Sequence, residues 1–341
     1  MWCLLGDATD DLSCYHKALE LSGDKNARAY RSLGLHHYSR KEFKECVPLF
    51  QKSLDRSSFQ PVTLLRLAFS AMELEMWELG AKSYRSYCSL EMDSFEAWNN
   101  LAKCYIKLDQ KERAWRVLQE ALRCDYDNWK VWDNLMLIAT DIAVFDDVIR
   151  AYNRLLDLKQ THIDNQVLTI LVRAVMEDLM DREGQASSRH RERVQKLLAR
   201  LTVAMPKEAV PWKLYGDILT GRQGDSMNNS QEEIVRGVQC YQKSLAAQTG
   251  PRGWERREET CLDVISLGLT LVEVVRRVEG VQELQLASSI RLSLSSAVKL
   301  VEQGQTSVET GQLGQVVGGK VEQLREALAE LTERITQLRA G

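Results

Sequence analysis

The sequence has little of what interrupts helices and none of the fingerprints on which most enzymes depend. Five prolines in 341 residues leave long stretches free to run as helix. No Gly-rich phosphate loop, H-E-x-x-H, nucleophile elbow or paired acid and base motif occurs, and GQLGQVVGG near the C-terminal end follows no strand pattern. No catalytic residue, cofactor or small-molecule substrate is therefore expected. None of the eight cysteines falls in a C-x-x-C pair, and the adjacent His36 and His37 point to different faces of a helix, so no metal site is expected either. Dispersed through a large chain, the cysteines read as reduced, buried thiols rather than a disulfide framework.

Charge of one sign is also lacking. Lys plus Arg number 45 against 48 Asp plus Glu, a net charge of -3 with a pI near 6.1, which provides no electrostatic footprint for nucleic acid. Long hydrophobic runs are missing too: the most apolar later stretch, Ile265 to Val275, is interrupted by Glu273 and is too short to span a bilayer. The apolar start MWCLL lacks a basic flank and meets the acidic GDATDD, so no secretory signal is expected. These absences point to a protein of the cytoplasm or nucleus, without a membrane partner. In that setting the sequon Asn228-Asn229-Ser230 is a chance match in a polar loop.

What is present is apolar surface to bury and a period. Hydrophobic residues make up 44% and charged residues 27% of the chain, a folding composition. Its length exceeds the roughly 250 to 300 residues at which one core stops growing, so it divides into domains or repeats. Tyr30, Leu64, Trp98 and Trp132 stand 34 residues apart. Three and four positions after each come Leu33-Gly34, Leu67-Ala68, Leu101-Ala102 and Leu135-Met136, one face of a helix. A second set follows at Cys46, Phe50, Ser53; Gly80, Tyr84, Tyr87; Ala114, Leu118, Ala121; and Val148, Tyr152, Leu155, a second helix after a short turn. Small residues in the first helix allow close approach of the second, and Trp98 and Trp132 are expected to fill the gap to the neighbouring repeat.

This pattern resembles the tetratricopeptide repeat, with its bulky residue at position 4, Leu-Gly/Ala at 7 and 8, Tyr at 11, Ala at 20, an aromatic at 24 and Ala at 27. WNNLAKCYIKLDQKERAWRVLQEAL matches nearly throughout, whereas His37, Ala71 and Ala139 replace Tyr at position 11 and Met136 stands at position 8. Looser interfaces are expected at those departures. Residues 1–26 hold a partial repeat, because SCYHKALEL reads as a second helix while Trp2, Leu5 and Gly6 lie too close before it. That edge lacks a polar capping helix, so a longer parent protein is expected.

Residues 27–160 hold four repeats. Residues 161–250 read as degenerate helical repeats: Trp212, Tyr215 and Gly216 take first-helix places, and Tyr241 and Ser244 second-helix places, with a spacing nine residues too long. An insertion loop at 221–233 absorbs the excess. Residues 251–341 read as C-terminal helices, the last with an apolar heptad seam at Val321, Leu324, Leu328, Leu331, Ile335 and Leu338. At under three heptads the seam suits packing on the preceding bundle better than an independent coiled coil. The fold class expected is all-α: a tetratricopeptide-repeat right-handed superhelix, an α-α solenoid, with a C-terminal helical bundle or cap.

The segments MWCLLGD, SCYHKALELS, KEFKECVPLFQKSL, EAWNNLAKCYIKL, QEALRCDYDNWKVWDN, RLLDL and QVLTILVRAV resemble the C-terminal half of the tetratricopeptide repeat protein 27 family. The resemblance implies a non-enzymatic intracellular scaffold, associated with chaperone-assisted assembly of large complexes.

It also implies that positions 2, 5, 6, 9 and 12 of the first helices line a concave groove. The candidate peptide-binding residues are then Arg31, Arg66, Phe69, Asn99, Asn100, Lys103, Lys130 and Asn134. Asn100 and Asn134, both at position 6, are candidates to hold a client's backbone amides, as in the asparagine ladder of the O-linked N-acetylglucosamine transferase superhelix. The carboxylate clamp that grips chaperone tails is not expected, since only Asn100 and Lys130 of its five groups are present. The partner class expected is a protein client or peptide segment. Two alternatives are oligomerisation through the C-terminal helix and service as a non-catalytic module of an enzyme complex.

Overall fold

The structure, a computed structural model, describes residues 1–159, 161–221, 230–279, 281–305 and 315–340. Most of the expected insertion loop, with Asn228 and Asn229, lies outside the described residues. Among them the chain is all-α with no strand, and no helix is long and apolar enough to cross a membrane. Two compact units, Met1–Leu158 and Lys159–Gly341, divide it.

The first unit is a solenoid of helix pairs: α1 (Trp2–Thr9) with α2 (Leu12–Ser22), α3 (Ala27–Ser39) with α4 (Phe43–Arg56), α5 (Pro61–Glu73) with α6 (Trp77–Leu90), α7 (Phe95–Lys107) with α8 (Lys111–Cys124), and α9 (Trp129–Asp141) with α10 (Phe145–Leu158). Each helix packs on its neighbour in sequence. Side chains of Asn26, Ser94 and Asn128 cap α3, α7 and α9 by accepting from backbone N–H groups, and Pro61 opens α5. Each first helix ends in the same way. Lys41, Glu75, Asp109 and Ala143, all at the same place in the repeat, take φ of 61°, 58°, 55° and 55°. The next N–H then returns to a carbonyl five residues back, as from Met76 to Ala71 and Gln110 to Tyr105, both at 2.8 Å. That bond satisfies a carbonyl the helix end would otherwise leave open.

Packing within a pair turns on the small residue. A Cβ on Gly34 would come within 2.6 Å of the Phe50 ring, so the aromatic occupies the space glycine leaves. Gly6 stands in the same relation to Tyr15, at 2.8 Å, only nine residues later instead of sixteen. The partial repeat is thus a shortened pair, α1 and α2, that keeps the glycine and aromatic contact. Three of the departures are tightly packed, Ala71, Ala139 and Met136 being fully buried, whereas His37 is only half-buried and bonds to Glu42. Trp132 is 1% exposed, but Trp98 is only half-buried, so the expectation of equal core roles for the two fails.

The second unit holds α11 (Asn165–Met176), α12 (Arg191–Ala204), α13 (Ala209–Thr220), α14 (Gln231–Thr249), α15 (Glu258–Val275), α16 (Val281–Gln305) and α17 (Gln315–Ala340). The 34-residue pattern persists here in contacts more than in spelling. Asp178 after α11 has φ 50°, and Leu179 N–H returns to Ala174 at 2.9 Å, as in the regular turns. A Cβ on Gly216 would lie 2.6 Å from the Tyr241 ring. Ser244 donates to the Ala209 carbonyl at 2.8 Å across 35 residues; Ser53 makes the same bond to Ala27 at 2.8 Å across 26. The difference of nine residues is the insertion.

Helices α15, α16 and α17 share one apolar core with part of α14, into which Val317, Val321, Leu324, Leu328, Leu331 and Ile335 of α17 are buried. The heptad seam is consumed there. Gly318 and Gly319, at the end of GQLGQVVGG, lie within α17, between the buried Val317 and Val321. All eight cysteines are free thiols, seven of them buried and Cys124 partly so.

Candidate functional site

The candidate residues lie on the first helices α3, α5, α7 and α9, and most have partners within the protein. Arg31 donates to Gln60 Oε1 at 3.4 Å. The Arg66 guanidinium lies 5.5 Å from the Tyr38 ring centroid. Phe69 meets Tyr38 and Phe43 edge to face at 6.2 and 6.0 Å; the two contacts to Tyr38 join α5 to α3 and the contact to Phe43 joins it to α4.

Farther along, Asn134 Nδ2 donates to Asn99 Oδ1 at 2.8 Å, joining α9 to α7. The structure therefore pairs a position-6 carboxamide with a position-5 one, not Asn100 with Asn134. Each carboxamide still has hydrogen-bonding capacity to offer, because one bond uses a single donor of Asn134 and a single lone pair of Asn99. Asn100 is half-buried beside Tyr84, whose hydroxyl is buried without a hydrogen-bond partner of normal geometry. Burial holds the Tyr84 phenol well above its ordinary pKa. Lys103 and Lys130 are exposed, Lys130 with its ammonium 5.9 Å from the Trp129 ring centroid. These lysines are the cations of the row open to a ligand.

A second cleft, of about 350 Å³, opens within the second unit between α11, α13 and α15. Its polar lining includes Arg173, Asp217, Tyr241, Glu273 and Arg277. Tyr241 donates to Asp217 Oδ1 at 2.7 Å, and burial drives its phenol well above the ordinary value. Arg277 donates to the Thr220 carbonyl at 2.7 Å, fastening the turn after α15 to the end of α13. None of these residues was among the sequence candidates. The turn at Asp178 marks α11 as a first helix, and hence α13 and α15 as its counterparts, but that turn is visible only in the structure. No cluster of His, Cys, Asp or Glu among the described residues could hold a metal.

No known family profile matches the chain, but curated relatives do. The tetratricopeptide repeat-containing protein trd-1 of Caenorhabditis elegans is 33% identical over 334 residues, covering 94% of this chain and 43% of the relative. A tetratricopeptide repeat protein 27 homologue of Dictyostelium discoideum is 26% identical over 303 residues, covering 89% of this chain and 34% of the relative. The chain is similar to tetratricopeptide repeat protein 27 homologues and to other tetratricopeptide-repeat proteins. It spans less than half the length of these relatives. Among solved structures, MamA is 19% identical with a TM-score of 0.41, over 55% of this chain and 95% of MamA. YrrB, described as a tetratricopeptide-repeat protein with an unusual peptide-binding site, is 14% identical with a TM-score of 0.42, over 59% of this chain and 97% of YrrB.

Proposed function

We propose that the chain is a non-catalytic, co-chaperone-like adaptor whose first helices hold extended client segments while large complexes assemble. The observation that carries the reading is the row on α7 and α9: Asn99, Asn100 and Asn134 half-buried, Lys103 and Lys130 exposed beside them, and the unpartnered Tyr84 hydroxyl behind Asn100. Carboxamides bind a peptide backbone without reading its side chains, and the two ammonium groups favour acidic or polar segments. Loose sequence preference follows. Oligomerisation through the last helix loses support because the α17 seam is buried in its own bundle.

The test is quantitative capture of client proteins by the full-length protein in cell extract. Asn100→Ala with Asn134→Ala should lower capture several-fold, since each lost hydrogen bond is worth about 0.5 to 1.5 kcal/mol. Adding Lys103→Glu and Lys130→Glu should lower it further. Undiminished capture by the fourfold variant, folded as judged by its melting temperature, would move the binding surface off these helices.

A further inference from the structure

Three tryptophans at position 4 of their repeats are fixed alike. Trp98, Trp132 and Trp212 each donate from the indole nitrogen to the carbonyl six residues earlier, that of Met92, Tyr126 and Pro206, at 2.8, 2.7 and 3.0 Å. What covers each indole differs. Over Trp132 the chain supplies its own cover: the Tyr126 ring packs edge to face at 5.2 Å, and the Arg154 guanidinium lies 5.0 Å from the Tyr126 ring centroid. Arg154 also pairs with Asp127, the residue after Tyr126. An aromatic followed by an acid is thus seated against a tryptophan and under a cation, and Trp132 is 1% exposed.

At Trp212 the same frame lacks that seated pair. Pro206 and Lys207 stand where the other repeat has Tyr126 and Asp127. Lys243, two residues after the position-24 aromatic Tyr241, stands where the other has Arg154 after Tyr152. Its ammonium lies 4.3 Å from the Trp212 ring centroid. Proline is too small to replace the tyrosine ring, and a cleft of about 540 Å³ opens there, lined by Pro206, Lys207, Trp212, Lys243, Ala246 and Pro251. This is ample for one or two side chains. Trp212 is only half-buried. Lys207 and Lys243 are exposed, have no carboxylate partner among the described residues, and no acidic residue lines the cleft.

We infer that this cleft binds a partner polypeptide through an aromatic side chain followed by a carboxylate, the pair that Tyr126 and Asp127 supply internally at Trp132. The incoming ring packs edge to face on the Trp212 indole. The neighbouring carboxylate bridges Lys243 and Lys207, a solvent-exposed contact between unlike charges that sets orientation and makes binding salt-sensitive. The site belongs to the second unit alone and does not depend on the first-helix groove.

The probe is a fluorescein-labelled peptide Gly-Glu-Tyr-Asp-Gly-Gly, titrated into the full chain by fluorescence polarisation. Binding should have a Kd below about 1 mM and weaken with added salt. Replacing the peptide's tyrosine by serine, or its aspartate by asparagine, should each weaken it about tenfold or more. Two variants of the protein test the seat. Pro206→Tyr with Lys207→Asp should fill the cleft from within, abolish binding and raise the melting temperature. Exposed Lys243→Glu, which leaves the fold intact, should weaken binding about tenfold. Equal binding of the parent peptide and its serine form, binding unchanged in both protein variants, or no binding at about 1 mM peptide would overturn the proposal.

Discussion

Gly216 lies beneath Tyr241 so closely that a Cβ would come within 2.6 Å of the ring. The contact repeats that of Gly34 with Phe50. Both aromatics are essentially fully buried and cannot swing away. Gly216→Ala and Gly34→Ala should each therefore destabilise the protein by about 1 to 3 kcal/mol through overpacking. Gly319→Ala should do the opposite. Nothing lies within 4 Å of a Cβ there, so removing glycine from a helix interior should stabilise by about 0.5 to 1 kcal/mol. Urea denaturation of the three variants reads both signs.

The two regular-repeat tryptophans should separate by burial. Trp132→Ala removes a side chain that is 1% exposed and should cost about 3 to 5 kcal/mol. Trp98, half-buried and bonded to the Met92 carbonyl at an exposed site, should cost clearly less. Equal losses in chemical denaturation would contradict the packing described for α7 and α9.

Buried thiols make the fold sensitive to alkali. Burial pushes Cys88 up to about 12 and Cys104 and Cys240 up to about 11, from an ordinary value of 9.0. Folded pKa values above unfolded ones mean that the neutral thiol is favoured by the native state. This contribution is complete below the unfolded value near 9.0 and is lost as pH rises through 9.0 toward 11 to 12. Melting temperatures should fall over that window, and Cys104→Ala should reduce the slope. A flat profile above pH about 9 would show these thiols to be solvent-accessible.

The regular repeats were legible because Tyr30, Leu64, Trp98 and Trp132 recur at one spacing and small residues mark each close approach. Other pairs obey the same contact rule at different separations. Gly6 meets Tyr15 after nine residues and Gly216 meets Tyr241 after 25, so period alone could identify neither interface fully. The turn at Asp178 shows a residue without glycine's freedom in the left-handed region, a place composition does not advertise. The groove was harder. Residue types at positions 5 and 6 could be read off, but the bond from Asn134 to Asn99 depends on the angle between successive first helices. The empty seat at Trp212 became visible only when Pro206 was set against Tyr126 in three dimensions.

Whether clients lie on the first helices is tested most directly by site-specific photocrosslinking in the full-length protein. A benzophenone amino acid would replace Lys103 or Leu137, both exposed on first helices, or, as controls, Lys82 or Arg116 on the second helices α6 and α8. Polypeptide adducts should form from the first two positions and fall several-fold when Asn100 and Asn134 are both alanine. Adducts from positions 82 and 116 alone, indifferent to the asparagines, would contradict the account.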